Sequence, residues 1–200
     1  LTRIEKIAQS IGKRLDSKDA ARESAIKSSR QIIRSCRGAI AAMQAGKDFS
    51  EHLKSARKGN ADLKHEMRNY VEIMFTGYVT DAQQELVEAE MVACVLADKE
   101  YPSPNDIGVS DEAYILGMGD AIGEMRRLFL DALMHDKLKS ADKVIGRMEL
   151  LYDILMTFNY PDSLVPIKRK QDVARSLIEK CRSEFVLAKQ MKSLRKELLR

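Results

Sequence analysis

The apolar residues of this chain return at three- and four-residue steps almost from end to end, and no segment alternates them with polar residues as a strand would. A half-buried strand has a period of two and a core-facing helix a period of about 3.6, so this pattern leaves a helical bundle as the fold. Ile4, Ile7, Ala8, Ile11 and Leu15 make a first stripe, broken near Asp16–Asp19. A second helix is predicted from Asp19, through Ala25, Ile26, Ile32, Ile33, Cys36, Ile40 and Met43, to a stop at Gly46. Ser50 is placed as the cap of a short third helix ending near Gly59–Asn60, and a long fourth runs from Asp62 to Asp98 with a bend at Gly77. The Pro-containing loop from Tyr101 to Gly108 follows. Ser110 caps a fifth helix ending near His135, Ser140 caps a sixth to about Phe158, and a seventh runs on from the turn Asn159–Asp162 to Arg200. The expectation is one all-α domain over residues 1–200, a seven-helix bundle whose short connections make neighbours antiparallel.

With 44% hydrophobic and 32% charged residues, the chain reads as soluble and globular, and no apolar run approaches the length of a membrane span. Neither a signal peptide nor a membrane association is expected. Cys36, Cys94 and Cys181 are odd in number and far apart, which reads as reduced core thiols in a cytoplasmic protein.

Charge is segregated. Residues 1–37 hold ten Lys/Arg against four acids, and residues 168–200 hold eleven against four. Between Asp81 and Glu124 there are eleven acids and a single base, Lys99. Two helix-spaced pairs stand out in that acidic stretch, Glu85 with Glu88 and Asp120 with Glu124. Partners at i,i+3 and i,i+4 share one helix face, and like charges that close repel, more strongly as the site dries. Glu85 and Glu88 are embedded among Leu86, Val87, Ala89 and Met91; Asp120 and Glu124 lie among Leu116, Met118, Ile122 and three glycines. Glycine at 117, 119 and 123 costs a helix roughly 1 kcal/mol each relative to alanine, which points to close approach of a partner backbone. Four carboxylates gathered by folding need a proton or a hard divalent cation, Mg²⁺ or Mn²⁺. Solvated or helix-capping acids are the plainer explanation of the same spacing.

Other ion and cofactor chemistries find no support. Di-iron bundles use paired Glu-x-x-His motifs, which His52, His65 and His135 do not supply. There is no zinc-type Cys/His cluster, P-loop or EF-hand loop. The basic residues Arg22, Lys27, Arg30, Arg34 and Arg37 form a stripe on the second predicted helix, and Lys168-Arg169-Lys170 opens the last one, where the helix dipole disfavours positive charge. Arg30, Arg34, Arg37, Lys168, Arg169 and Lys170 are therefore candidates for holding a phosphate backbone, with solvated faces as the alternative.

These segments together resemble the translin superfamily, specifically its Trax-like catalytic branch in the stand-alone archaeal form. The resemblance covers nearly the whole chain and is most specific in the stretch from Ala20 to Arg34, in Gln84-Glu-Leu-Val-Glu-Ala89, and in Tyr114-Ile-Leu-Gly-Met-Gly-Asp-Ala-Ile-Gly-Glu124. The family's Gln-Glu-x-x-Glu-Ala and Tyr-Leu-x-Gly-x-x-Asp-x-x-Gly-Glu elements supply its nuclease acids, which carries Glu85, Glu88, Asp120 and Glu124 over as both catalytic and metal-holding residues; Glu90 has no counterpart. The resemblance implies a seven-helix fold, a homo-oligomer (an octamer) enclosing RNA, and Mg²⁺-dependent endoribonuclease activity on single-stranded or small duplex RNA, with single-stranded DNA as a further ligand. The rival expectation is a non-catalytic RNA- or DNA-binding oligomer, which leaves the four acids without a joint task.

Overall fold

The computed structural model describes residues 2–198, and among these there are seven α-helices and no strand. They are α1 (Arg3–Gln44), α2 (Ser50–Glu66), α3 (Gly77–Ala97), α4 (Pro104–Ile107), α5 (Asp111–Met134), α6 (Leu138–Leu155) and α7 (Lys168–Leu198). The all-α class and the number of helices agree with the sequence reading, but the seven helices are not the same seven.

The first two predicted helices are one. α1 runs unbroken through Asp16–Asp19, because a lapse in the apolar period does not end a helix when the residues there are ordinary helix formers and neither Gly nor Pro intervenes. Arg22 also pairs with Asp19 one turn back at 2.9 Å. The N-terminal half of α1 leaves the bundle, so Ile4, Ile7, Ile11 and Leu15 are all exposed. Its C-terminal half is buried through Ala25, Ile32, Cys36, Ala39, Ile40 and Met43. The stop at Gly46 is as expected: Gly46 takes φ 63°, and Lys47 N–H donates to Ala42 C=O at 2.8 Å, satisfying a helix-end carbonyl.

Ser50 is the first residue of α2 rather than its cap; Asp48 accepts a hydrogen bond from the Ser50 N–H at 2.9 Å. Gly59–Asn60 does not end α2 either. Asn60 is buried and donates its amide to the carbonyls of Ile107 and Gly108 at 3.2 and 3.1 Å. Gln83 on α3 then accepts from the Ser110 N–H at 3.2 Å. A buried amide without partners would cost about 1–3 kcal/mol, so these bonds pin the 101–110 connection against α2 and α3.

The predicted long helix from Asp62 is interrupted. α2 ends at Glu66, two 3₁₀ turns cover Met67–Asn69 and Val71–Phe75, and Gly77, read as a bend, is where α3 begins. The loop from Tyr101 holds the one-turn α4, capped by Ser103 and Asp106 with Pro104 in its first turn. Ser110 caps α5 as expected, its hydroxyl accepting from Ala113 N–H at 3.2 Å. α6 begins at Leu138, two residues before Ser140, and ends at Leu155.

α5 is the central element, packed against α3, α6 and α7, while α1 and α2 close the bundle on the far side of α3. Of the three glycines on α5, Gly117 meets the sequence expectation: a Cβ there would lie 2.7 Å from both the Gln84 carbonyl oxygen and Val87 Cβ of α3. Gly119 faces α7, and Gly123 faces open space. The close approach at Gly117 presses the acidic face of α5 against that of α3.

Candidate functional site

On α3, positions 81, 84, 85 and 88 follow an i, i+3, i+4, i+7 pattern and so project from one face. Asp120 and Glu124 do the same on α5. Because α3 and α5 meet at Gly117, the two faces share one cleft, of about 500 Å³, lined by Ile33, Arg37, Asp81, Gln84, Glu85, Glu88, Asp120 and Glu124. A second hollow of about 340 Å³ adjoins it, sharing Arg37, Glu85, Glu88 and Glu124 and adding Ile40, Ala41, Gln44 and Arg127. The four acids singled out in the sequence are thus neighbours in space.

Three of them have partners. Arg37 of α1 donates to Glu85 at 2.9 Å, Lys170 of α7 ion-pairs with Asp120, and Glu124 accepts from Gln44 of α1 and from Arg127 at 3.3 Å. Glu88 sits among them, with no cationic partner of its own among the described residues. Burial pushes its carboxyl up to about 8, and the nearby charges of Asp120, Glu124 and Glu85 add to the rise, while Lys170 opposes it. Among the described residues no three His, Cys, Asp or Glu side chains are arranged to hold a metal ion as they stand.

Other sequence candidates are distributed unevenly. Arg30 and Arg34 are exposed on the α1 face that continues through Arg37, Ala41 and Gln44, so the basic stripe runs into the cleft. Lys168 and Arg169 are exposed at the start of α7. Arg37 and Lys170, read as phosphate-binding, are ion-paired here with Glu85 and Asp120. Glu90, left out of the site, is buried on another face of α3, ion-paired with Arg57 of α2. The sequence reading missed Gln44 and Arg127; Arg127 was visible, one turn beyond Glu124, whereas nothing marked Gln44. The three cysteines are free and buried, and burial pushes the Cys36 thiol up, away from reactivity.

The chain and its fold are similar to those of known proteins. The translin family model matches residues 1–185. The chain belongs to the translin family. An uncharacterized protein of Methanocaldococcus jannaschii is 34% identical over 189 residues, covering 93% of this chain and 84% of that protein. The structure of AfC3PO in complex with duplex RNA superposes with a TM-score of 0.85 at 34% identity, over 95% of this chain and 98% of that one. Crystalline AfC3PO alone gives 0.84 at 35% identity, with the same coverage. Apo-NeC3PO, at 19% identity and a TM-score of 0.78 over 94% of this chain and 98% of that one, shares the fold. No described helix is long and apolar enough to cross a membrane.

The translin-family cleft makes a prediction about stability. An unfolded glutamate titrates near 4.5, so between that pH and about 8 the folded protein holds a proton on Glu88 that the unfolded chain has lost. The stability tied to that proton is fully present below 4.5 and lost as pH rises through 8. In metal-free buffer, Glu88→Gln should match the wild-type melting temperature at pH 4 and exceed it at pH 8.5 by several degrees, each kcal/mol being worth about 2–4 °C. Parallel melting curves across that range, read by circular dichroism, would mean Glu88 titrates as an ordinary surface acid.

Proposed function

We propose that this translin-family protein is a metal-dependent endoribonuclease of the Trax-like kind, acting on small RNA within a homo-oligomer. The observation that carries the reading is the cleft itself: four carboxylates of two closely packed helices, with burial and then the neighbouring acids raising the Glu88 carboxyl to about 8. The donors are all hard oxygens, and the proton on Glu88 stands where a cation's charge would serve as well, so the residue set fits Mg²⁺ or Mn²⁺. Glu85, Glu88, Asp120 and Glu124 would hold the ion. Bound there, it would polarise the scissile phosphodiester and make water a stronger nucleophile.

The chain's own residues do the rest. Arg30 and Arg34, on the helix face leading to Arg37, draw the phosphate backbone along α1 toward the acids, and Lys168 and Arg169 offer further phosphate-binding groups from α7. Gln44 and Arg127 both donate to Oε2 of Glu124 and so fix its carboxylate. RNA as ligand is supported by the relative AfC3PO, whose duplex-RNA complex is 34% identical to this chain over nearly its full length. Self-association is supported by the bare apolar stripe Ile4, Ile7, Ile11 and Leu15, a row of exposed aliphatic side chains along one face of the N-terminal half of α1.

One observation favours a non-catalytic RNA-binding oligomer: three of the four acids are already engaged by Arg37, Lys170, Arg127 and Gln44. An RNase assay with purified protein decides between them. Cleavage of a short RNA in Mg²⁺ that stops with chelator and returns with Mn²⁺ is the expected result; binding without cleavage under every metal condition leaves the non-catalytic reading. Light scattering should return a multiple of the 22.6 kDa chain mass, and a monomer that still cuts RNA would remove the oligomer from the reading.

A further inference from the structure

Three cationic side chains reach the carboxylates of the cleft, and they are not equivalent. Arg37 and Arg127 lie at its rim, 70% and 65% exposed, where solvent screening leaves an ion pair little value. Lys170 is 29% exposed and built into the wall. Gly119 of α5 leaves room for it: a Cβ there would stand 2.9 Å from Lys170 Cβ and 3.3 Å from Cγ, so the lysine stem lies directly on the α5 backbone. Its neighbour Gln171 fixes that turn of α7 by donating to the Leu155 and Phe158 carbonyls at 2.9 and 2.8 Å. The ammonium sits in the first turn of α7, where the helix dipole works against a cation. What compensates is Asp120, which accepts its hydrogen bond.

Resting on the reading of the cleft as a divalent-cation site, we propose that the Lys170 ammonium is the resident counter-ion of that site: it occupies Asp120 while no metal is bound and has to be displaced from that carboxylate when one enters. Lys170 is then a positioning residue that sets how tightly the cleft takes up metal, and keeps the four acids folded together when metal is scarce. The exchange is one of charge for charge, with no covalent step. Without the lysine, Asp120 would face Glu88, Glu85 and Glu124 uncompensated.

The test uses Mn²⁺ alone, titrated calorimetrically into RNA-free protein. Lys170→Met keeps an apolar stem against Gly119 and removes the charge, so Mn²⁺ should bind about tenfold more tightly than to wild type. Lys170→Arg, which keeps the charge, should stay within about threefold of wild type. In chelator, Lys170→Met should melt below wild type, and saturating Mn²⁺ should close that gap. A gap that persists unchanged in Mn²⁺ would make Lys170 a packing residue only. Equal Mn²⁺ affinity in wild type and Lys170→Met overturns the counter-ion role while leaving the metal site standing; no Mn²⁺ binding by either overturns both. Should Lys170→Met fail to fold, Gly119→Ala gives the second measurement, since its methyl meets Lys170 Cβ at 2.9 Å and must shift that turn of α7, moving the ammonium away from Asp120 with every charge retained. Tighter Mn²⁺ binding is expected there too, and unchanged or weaker binding counts against the proposal.

Discussion

Glu124→Gln is expected to leave a folded protein that binds RNA and cuts it about 10²-fold more slowly or worse, the scale on which removing one electrostatic group from an active site is felt. The substitution is mild for the structure. A glutamine at 124 still offers a carbonyl oxygen to the Gln44 amide, and what it forfeits is the pairing with Arg127, a side chain 65% exposed whose ion pair contributes little. The loss falls on the chemistry, because one of four negative oxygen donors is gone from the cleft. RNA binding should hold or improve as repulsion of phosphate falls. Single-turnover cleavage at matched Mg²⁺ reads the first effect and filter binding the second. Turnover near wild type would take Glu124 out of the mechanism and would shift the reading toward the non-catalytic oligomer.

The second large effect should come from the basic face of α1. Arg30→Glu combined with Arg34→Glu should weaken RNA binding by about tenfold or more at low salt. It should also reduce the magnitude of the log affinity against log salt slope by about 2, one for each phosphate that is no longer neutralised. These two arginines suit the experiment because both are exposed, and Arg34 bonds to Gln31 on its own helix. Arg37 does not suit it, since reversing its charge would place an acid against Glu85 and disturb the cleft as well as the surface. An unchanged slope would move phosphate binding to Lys168 and Arg169 on α7.

Much of this protein was decided within single helices, and those parts were readable in advance. The all-α class, the stop at Gly46, the cap at Ser110 and the pairing of Glu85 with Glu88 and Asp120 with Glu124 all depend on residues one turn apart, whose spacing the sequence states directly. The errors of element boundary have the same local root. Asp16–Asp19 and Gly59–Asn60 carry signals that end a helix only when nothing else holds it, and for Asn60 the buried bonds to Ile107 and Gly108 hold it.

The roles of Arg37, Gln44 and Lys170 were not readable, because each depends on a partner far away in sequence: Glu85 at 48 residues, Glu124 at 80 and Asp120 at 50. As a sequence, the chain presents basic ends and an acidic centre, which suggest separate surfaces for RNA and for metal. Packing interleaves them. The absence of a side chain at Gly117 lets α3 and α5 bring four carboxylates together, and the opposite charges that meet them come from α1 and α7 as well as from Arg127 of α5 itself. Like charges cannot be crowded into a half-buried cleft without compensation. Spacing along the chain put each pair of acids on one helix face, and only the tertiary structure brought the two pairs together and set Arg37 and Lys170 against them.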